Sequence, residues 1–301
     1  MPRHFLSISD ISRQEFHSII DFALAIKRNP LLAGRPLENR HFALIFEKPS
    51  TRTRVSFEVA IHQLGGHTLF LSGQELQLSR GESPEDTAAV LSRYVDGIVI
   101  RTFSHEKLIS FAQASQVSVI NGLSDSFHPC QALADFLTIK ENRRTFSGLK
   151  IVFLGDGSSN VCNSLIMAAA YAGAHVTVAC PDELSPPQAI LEFAKAEKMH
   201  VELERDAERA AAGADVLYTD VWVSMGQENQ SHKKKQLLEP YQLNERVQAK
   251  ARKDHLVMHC LPAHKGEEIT QTVFESVNSV IFDQAENRLH AQKSLLHFLY
   301  R

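Results

Sequence analysis

Short, nearly continuous apolar runs recur along the chain, separated by stretches with helical spacing. HFALIF (41–46), HTLFL (67–71), GIVI (97–100) and VSVI (117–120) read as strands buried on both faces, since neither face of such a run can be left to water. Between them, Thr51–Leu64, Pro84–Tyr94 and His105–Ala114 place apolar residues at helical intervals, and Pro129–Lys140 continues the pattern after the fourth run. A charged segment from Lys140 to Lys150, carrying Ser147-Gly148, has the composition of a domain boundary. The alternation then restarts with KIVFLG (150–155), HVTVAC (175–180), DVLYTDV (215–221), HLVMHC (255–260) and SVIF (279–282). The pattern predicts an α/β chain with two doubly wound parallel-sheet domains in series, 1–145 and 146–284. Leu289, Leu295, Leu296 and Leu299 predict a terminal helix over 285–301 that returns to the first domain. The polar, lysine-rich stretch 226–236 reads as an exposed, mobile loop whose lysines are solvated.

Composition narrows the function classes. With 32 basic and 35 acidic residues the formal net charge is −3, a near balance that argues against nucleic acid or an anionic membrane as the main partner, although a local basic cluster is present. The opening residues MPRHFLSISDIS lack an apolar signal core and an arginine-rich presequence, and the apolar stretch Leu165–Ala174 is too short to span a bilayer. A cytoplasmic protein is expected. Cys130, Cys162, Cys180 and Cys260 form no CxxC pair, so neither a disulfide framework nor a cysteine-rich zinc site is expected.

In open parallel sheets, ligands gather beyond the carboxyl ends of the strands, and each polar cluster of this chain falls at such an end. Ser50-Thr51-Arg52-Thr53-Arg54 follows the run 41–46 where a helix should begin. Free N–H groups, a positive dipole end and guanidiniums there suit a phosphate, although a Ser/Thr cap followed by surface arginines fits equally well. His128-Pro129-Cys130-Gln131 leads into a helix, with Pro129 suited to its first turn; His128 either faces a ligand or serves the structure. Arg101 lies directly after the run 97–100.

Gly155-Asp156-Gly157-Ser158-Ser159-Asn160 resembles a dinucleotide loop, with Asp182 in the place of a ribose-binding acid. Asn160 replaces its third glycine, however, which weighs against nucleotide binding. Asp220 offers a carboxylate to an ammonium group or caps a turn. Cys260, in His259-Cys260-Leu261-Pro262, is either a nucleophile or an inert thiol beside a proline turn.

Taken together and in order, these segments resemble a known family. Phe46-Glu-Lys-Pro-Ser-Thr-Arg-Thr-Arg-Val-Ser-Phe-Glu58 and His128-Pro-Cys-Gln-Ala-Leu-Ala-Asp135 resemble the carbamoyl phosphate motifs shared by aspartate and ornithine carbamoyltransferases. Asp220 through Gly226, His259-Cys-Leu-Pro262 and Ala285-Glu-Asn-Arg288 look like the ornithine-type members, and the resemblance runs from about residue 5 to the end.

The resemblance implies a site. Ser50, Thr51, Arg52 and Thr53 would bind the phosphate, with Arg101 and Arg288. His128 and Gln131, with Pro129 and Cys130 beside them, would hold the carbamoyl group. Gln77 would enter a neighbouring subunit's site, implying a homotrimer or multiples of it. Asn160, Asp220, Ser224 and Met225 would bind the amino-acid end of ornithine, and Cys260 and Leu261 would contact the reacting amine and the carbamoyl amide. Arg101, His128 and Cys260 are the expected catalytic residues. Many relatives have Asn-Asn where this chain has Ser159-Asn160.

The implied reaction is attack by the neutral δ-amine of ornithine, giving citrulline and phosphate in arginine metabolism, with no metal, no cofactor and no covalent intermediate. Such an amine has a pKa of about 10.4, so roughly one molecule in a thousand is neutral at about pH 7.5. Other acceptors (putrescine, aspartate, an acylated ornithine) and a non-catalytic nucleotide-binding or regulatory protein on the same fold are the alternatives.

Overall fold

The computed structural model describes residues 2–73, 81–223 and 231–301; the expectations placed on Gln77, Ser224 and Met225, and on 226–230, lie outside them. The chain divides into two compact units, 1–137 with 286–301, and 138–285.

In the first unit β1 (His41–Phe46), β2 (His67–Ser72), β3 (Gly97–Arg101) and β4 (Ser118–Leu123) form a parallel sheet in the order β2-β1-β3-β4. The central strands β1 and β3 are almost wholly buried, which is why their sequences are continuously apolar, whereas β2 at the edge is half-buried. The other edge is covered: Phe5 donates its N–H to Val119 O and accepts from Asn121 N. The helices are α1 (Arg13–Arg28), α2 (Thr51–Gln63), α3 (Pro84–Leu91), α4 (His105–Ala114) and α5 (Pro129–Arg143), the last running three residues beyond the expected Lys140.

Strand order reverses at β1 and β3, so the crevice beyond their carboxyl ends is where a ligand is expected. The β3–β4 register slips between Ile100 and Arg101, so that Arg101 pairs with Leu123 and Gly122 is passed over. A Cβ on Gly122 would lie 3.2 Å from Ile100 O and 3.4 Å from Thr53 Cγ2, so a glycine eases the close approach of α2 to the two strands.

The second unit holds β5 (Lys150–Leu154), β6 (His175–Ala179), β7 (Val201–Glu204), β8 (Val216–Thr219) and β9 (Leu256–His259), all parallel in the order β7-β6-β5-β8-β9. Its helices are α6 (Asn160–Ala172), α7 (Gln188–Ala196), α8 (Ala207–Ala211), α9 (Ser231–Leu238), α10 (Glu245–Gln248) and α11 (Gln271–Phe274). Here the order reverses at β5 and β8, the strands that deliver the Gly155 loop and Asp220. The final helix, α12 (Ile281–Tyr300), buries Ala291, Leu295 and Leu296, and within the first unit Ser294 Oγ donates to Ile19 O at 2.7 Å.

Two expectations are corrected. SVIF (279–282) is not a strand: Ser279 makes one isolated bridge to Val257, and Ile281 already opens α12. An apolar run of that length suits a strand and a helix start equally, and here the helical period downstream prevails. Part of the supposed loop 226–236 is also helical, with Leu238 at its end fully buried. Two of its three lysines are not merely solvated, because Lys234 pairs with Asp156 at 2.6 Å and Lys235 with Glu267 at 2.5 Å. The strand β7 had no counterpart in the sequence reading, since VELE alternates apolar and charged residues along a sheet edge.

Candidate active site

The phosphate motif begins at a capped helix. Ser50 is extended and its hydroxyl accepts the Thr53 N–H at 3.2 Å, so the capping reading is correct for this side chain, and no acid stands in the first turn of α2. The two arginines of the motif part company. Arg54 pairs with Glu58 through Nε at 3.0 Å and lies 3.6 Å over the Phe70 ring, a partly exposed surface arrangement. Thr53 points inward and is buried, Arg52 is half-buried and Thr51 is exposed.

Thr53, His128, Gln131 and Arg288 come together in one buried cluster of the first unit. Arg288, 3% exposed on α12, donates to Gln131 Oε1 at 2.7 Å and to Thr53 Oγ1 at 3.3 Å, and its Nη1 is 3.5 Å from His128 Nε2. A guanidinium only donates, so Nε2 is the acceptor and the ring proton sits on Nδ1. Gln131 Nε2 in turn donates to Asp135 Oδ1 at 2.8 Å, fixing the orientation of its amide. Pro129 takes the first helical position of α5, and the His128 carbonyl accepts the N–H groups of Gln131 and Ala132. Cys130 turns into the core toward Asn121 O, and burial pushes its thiol up to about 12, so only its main chain is left to face a ligand.

Charge is arranged around the histidine. Burial, then the positive charges of Arg288, Arg101, Lys48 and Arg52, hold His128 well below the usual histidine range, so its ring is neutral at physiological pH. Arg101, at the bulged end of β3, is itself buried. Lys48 was not singled out in the sequence. It is buried, its Nζ lies 4.6 Å over the Phe103 ring, and burial followed by the charge of Arg101 lowers its amine to about 8. The position between β1 and the capping serine was the available signal. Four cations around a neutral, buried histidine make a place that becomes favourable when a small polyanion enters it.

The second unit gathers a different group. Asp220, just beyond β8, is buried, which raises its carboxyl above the usual range. Its Oδ1 accepts the Cys260 thiol at 2.7 Å and the Val221 N–H at 2.8 Å. The thiol is therefore a donor, the opposite of a primed nucleophile. Leu261 follows with φ +60, in the left-handed region, and a cis bond to Pro262. Asn160 occupies the first position of α6 behind the capping Ser159, whose side chain accepts the Cys162 N–H. Ligand-type atoms of Asp220, His259 and Cys260 lie within 4.8 Å of one another, but both ring nitrogens of His259 are engaged, with Leu261 N and Glu268.

The dinucleotide resemblance of the Gly155 loop has a structural cause instead. A Cβ on Gly157 would lie 2.8 Å from Leu184 O and 3.0 Å from Pro186 Cδ, so glycine is needed there for the loop to pack against the chain at 184–186. Asp182 is paired with Arg205 at 2.5 Å.

Comparison with known proteins identifies the family. The carbamoyl-P binding domain of the aspartate/ornithine carbamoyltransferases matches residues 3–141, and their Asp/Orn binding domain matches 147–299. The ornithine carbamoyltransferase of Methanosphaera stadtmanae is 50% identical, covering 99% of each chain. Among solved structures, the ornithine carbamoyltransferase from Pyrococcus furiosus superposes with a TM-score of 0.93 at 47% identity, over 98% of this chain and 96% of that one. An N-acetyl-L-ornithine transcarbamylase mutant complexed with PALAO gives 0.88 at 31% identity, over 98% and 99%. Matched in both halves by the family's domains and similar to its members over nearly its whole length, the chain belongs to the aspartate/ornithine carbamoyltransferase family.

Proposed function

We propose that this carbamoyltransferase moves the carbamoyl group of carbamoyl phosphate to the δ-amine of L-ornithine, giving L-citrulline and phosphate. The observation that carries the reading is the buried group of Thr53, His128, Gln131 and Arg288, ringed by Lys48, Arg52 and Arg101. In this reading Ser50, Thr51, Arg52 and Thr53 hold the phosphate through the first turn of α2, and Arg101 and Arg288 neutralise it as it leaves. His128 and Gln131 bind the carbamoyl group, with the main chain of Pro129 and Cys130 beside them. The tetrahedral oxyanion is met by Arg101, Thr53 and His128, whose neutral ring donates rather than carrying a charge.

The acceptor is held by Asn160 and Asp220, with Ser224 and Met225 at its amino-acid end. The δ-amine must be neutral to attack, and a carboxyl at Asp220 that binds the α-ammonium leaves the δ-nitrogen to lose its proton. The Cys260 thiol, donating to Asp220, and Leu261 contact the amine and the carbamoyl amide, with no bond to the enzyme formed. Residues 1–145 serve as the carbamoyl phosphate domain, 146–284 as the ornithine domain, and 285–301 return Arg288 to the first. We further place the chain in the cytoplasm and in arginine metabolism, as a trimer or multiple of trimers in which Gln77 serves a neighbouring site. No helix among the described residues is long and apolar enough to cross a membrane.

The relative that acts on an acylated ornithine sets the discriminating experiment. Carbamoyl phosphate is offered with ornithine, N-acetylornithine, putrescine or aspartate, and the ureido product is measured colorimetrically. Ornithine is expected to give product far faster than the others. Preference for another acceptor would move the reaction to that substrate, and no product with any of them would support a non-catalytic role.

A further inference from the structure

A second buried network lies behind the acceptor residues and takes no part in the chemistry proposed above. The His259 N–H donates to Gln284 Oε1 at 2.9 Å, and Gln284 Nε2 donates to the Tyr218 hydroxyl at 3.1 Å. On the ring, Nδ1 accepts the Leu261 N–H at 2.8 Å, so the proton is on Nε2, which lies 3.1 Å from Glu268 Oε1 and donates to it. The same carboxyl oxygen accepts the His264 N–H at 2.5 Å. His259, Glu268, Gln284 and Tyr218 are all essentially inaccessible to water. One oxygen of Glu268 thus ties the end of β9 to the chain that leaves the turn, closing a bracket around residues 259–264.

Inside that bracket Leu261 has φ +60. A branched L-residue rarely adopts the left-handed region, and such a conformation persists only where its surroundings impose it. The bond from Leu261 N to His259 Nδ1 imposes it, but only while the ring offers Nδ1 as an acceptor. The other neutral tautomer would put a proton there and turn the bond into a repulsion. Glu268, accepting from Nε2, selects the tautomer that works.

We infer that Glu268, acting through the tautomer and orientation of His259, is a positioning residue that holds the Cys260–Leu261 corner in place against Asp220. The inference rests on the proposed reaction, in which that corner meets the amine and the carbamoyl amide. Neither Glu268 nor His259 touches substrate in it.

The test compares Glu268→Gln, whose amide oxygen can still accept both bonds, with Glu268→Leu, which fills the space and accepts nothing. For Glu268→Leu, kcat/KM for ornithine is expected to fall about tenfold to a hundredfold, the range that a displaced contact of this kind produces. The KM for carbamoyl phosphate should stay within about twofold of wild type, and Glu268→Gln should recover activity to within about threefold. A purely structural role would lower the melting temperature while leaving both KM values and the kcat per active site unchanged, and that result overturns the proposal. So does a Gln variant as impaired as the Leu variant.

If Glu268→Leu does not fold, the wild-type protein decides. With 15N-labelled histidine, the ring signal that shifts in Glu268→Gln should report protonation at Nε2 alone, and a proton on Nδ1 overturns the proposal. Wild-type enzyme that makes no citrulline would sink the reaction instead, whatever the ring shows.

Discussion

Replacing Arg288 with methionine removes a cation and keeps a long apolar stem in its place. The residue is 3% exposed, and its guanidinium donates to Gln131 at 2.7 Å and to Thr53 at 3.3 Å. Two opposed effects act on stability. The acceptors on Gln131 and Thr53 lose a buried donor, a loss of about 1–3 kcal/mol where they stay dry. Against this, a desolvated charge leaves a cluster that also holds Lys48, Arg52 and Arg101, and replacing buried charge by apolar packing is neutral or stabilising by about 1–4 kcal/mol. The two nearly cancel, so the melting temperature should move by less than about 5 °C.

Ligand binding has no such compensation. A charge-assisted bond contributes about 1.5–3 kcal/mol, so affinity for a phosphonate analogue of carbamoyl phosphate should fall about 10- to 150-fold. Calorimetric titration beside thermal unfolding reads both quantities. A variant that melts far below the wild type, yet binds the analogue normally where it is folded, would show that Arg288 does not contact the phosphate. Arg288 would then be an internal clasp and the cluster no phosphate site.

Three further outcomes follow from the same structure. The free-protein amine of Lys48 sits at about 8, below its ordinary 10.5, so it loses its proton as pH rises through about 8. Analogue affinity should therefore weaken above that pH in wild type and not in Lys48→Arg; equal pH profiles would remove Lys48 from the site. Asp220→Asn should raise the KM for ornithine about tenfold or more while leaving analogue affinity unchanged, since a charged partner contributes about 1.5–3 kcal/mol. Loss of analogue binding would show that the substitution disturbs more than the acceptor side. In Gly97→Ala, the new methyl would overlap the Tyr300 hydroxyl and lie 2.5 Å from Phe42 Cε1, so denaturant unfolding should show a loss of about 1–3 kcal/mol. An unchanged midpoint would mean that the end of α12 shifts freely on β3.

Much of this was legible in the chain because the central strands are buried on both faces and so carry unbroken apolar runs, HFALIF and GIVI above all. Where burial is partial the signal fades: VELE at an edge reads as polar, and SVIF, shared between a bridge and a helix start, reads as a strand. The site residues were legible as polar groups at strand ends, and Thr53, Arg101, His128 and Asp220 all stand there. What the sequence could not convey is which of them meet. Arg288 reaches Gln131 and Thr53 across separations of 157 and 235 residues, and no local pattern encodes those bonds. Nor could it separate Arg52 from Arg54, because the Phe70 ring and Glu58 that occupy Arg54 are placed by the fold. Lys48 and Glu268 look like ordinary charged residues until their burial is known.

In the proposed reaction the carbamoyl group passes directly to ornithine without an enzyme-bound stage. Rapid quench of a single turnover with 13C-carbamoyl phosphate, followed by mass spectrometry of protein and small molecules, tests it most directly. With ornithine present, label should appear in citrulline in step with phosphate release, and without ornithine neither should form. Phosphate released ahead of citrulline, or label found on the protein at Cys260, would instead mean a covalent carbamoyl-enzyme stage.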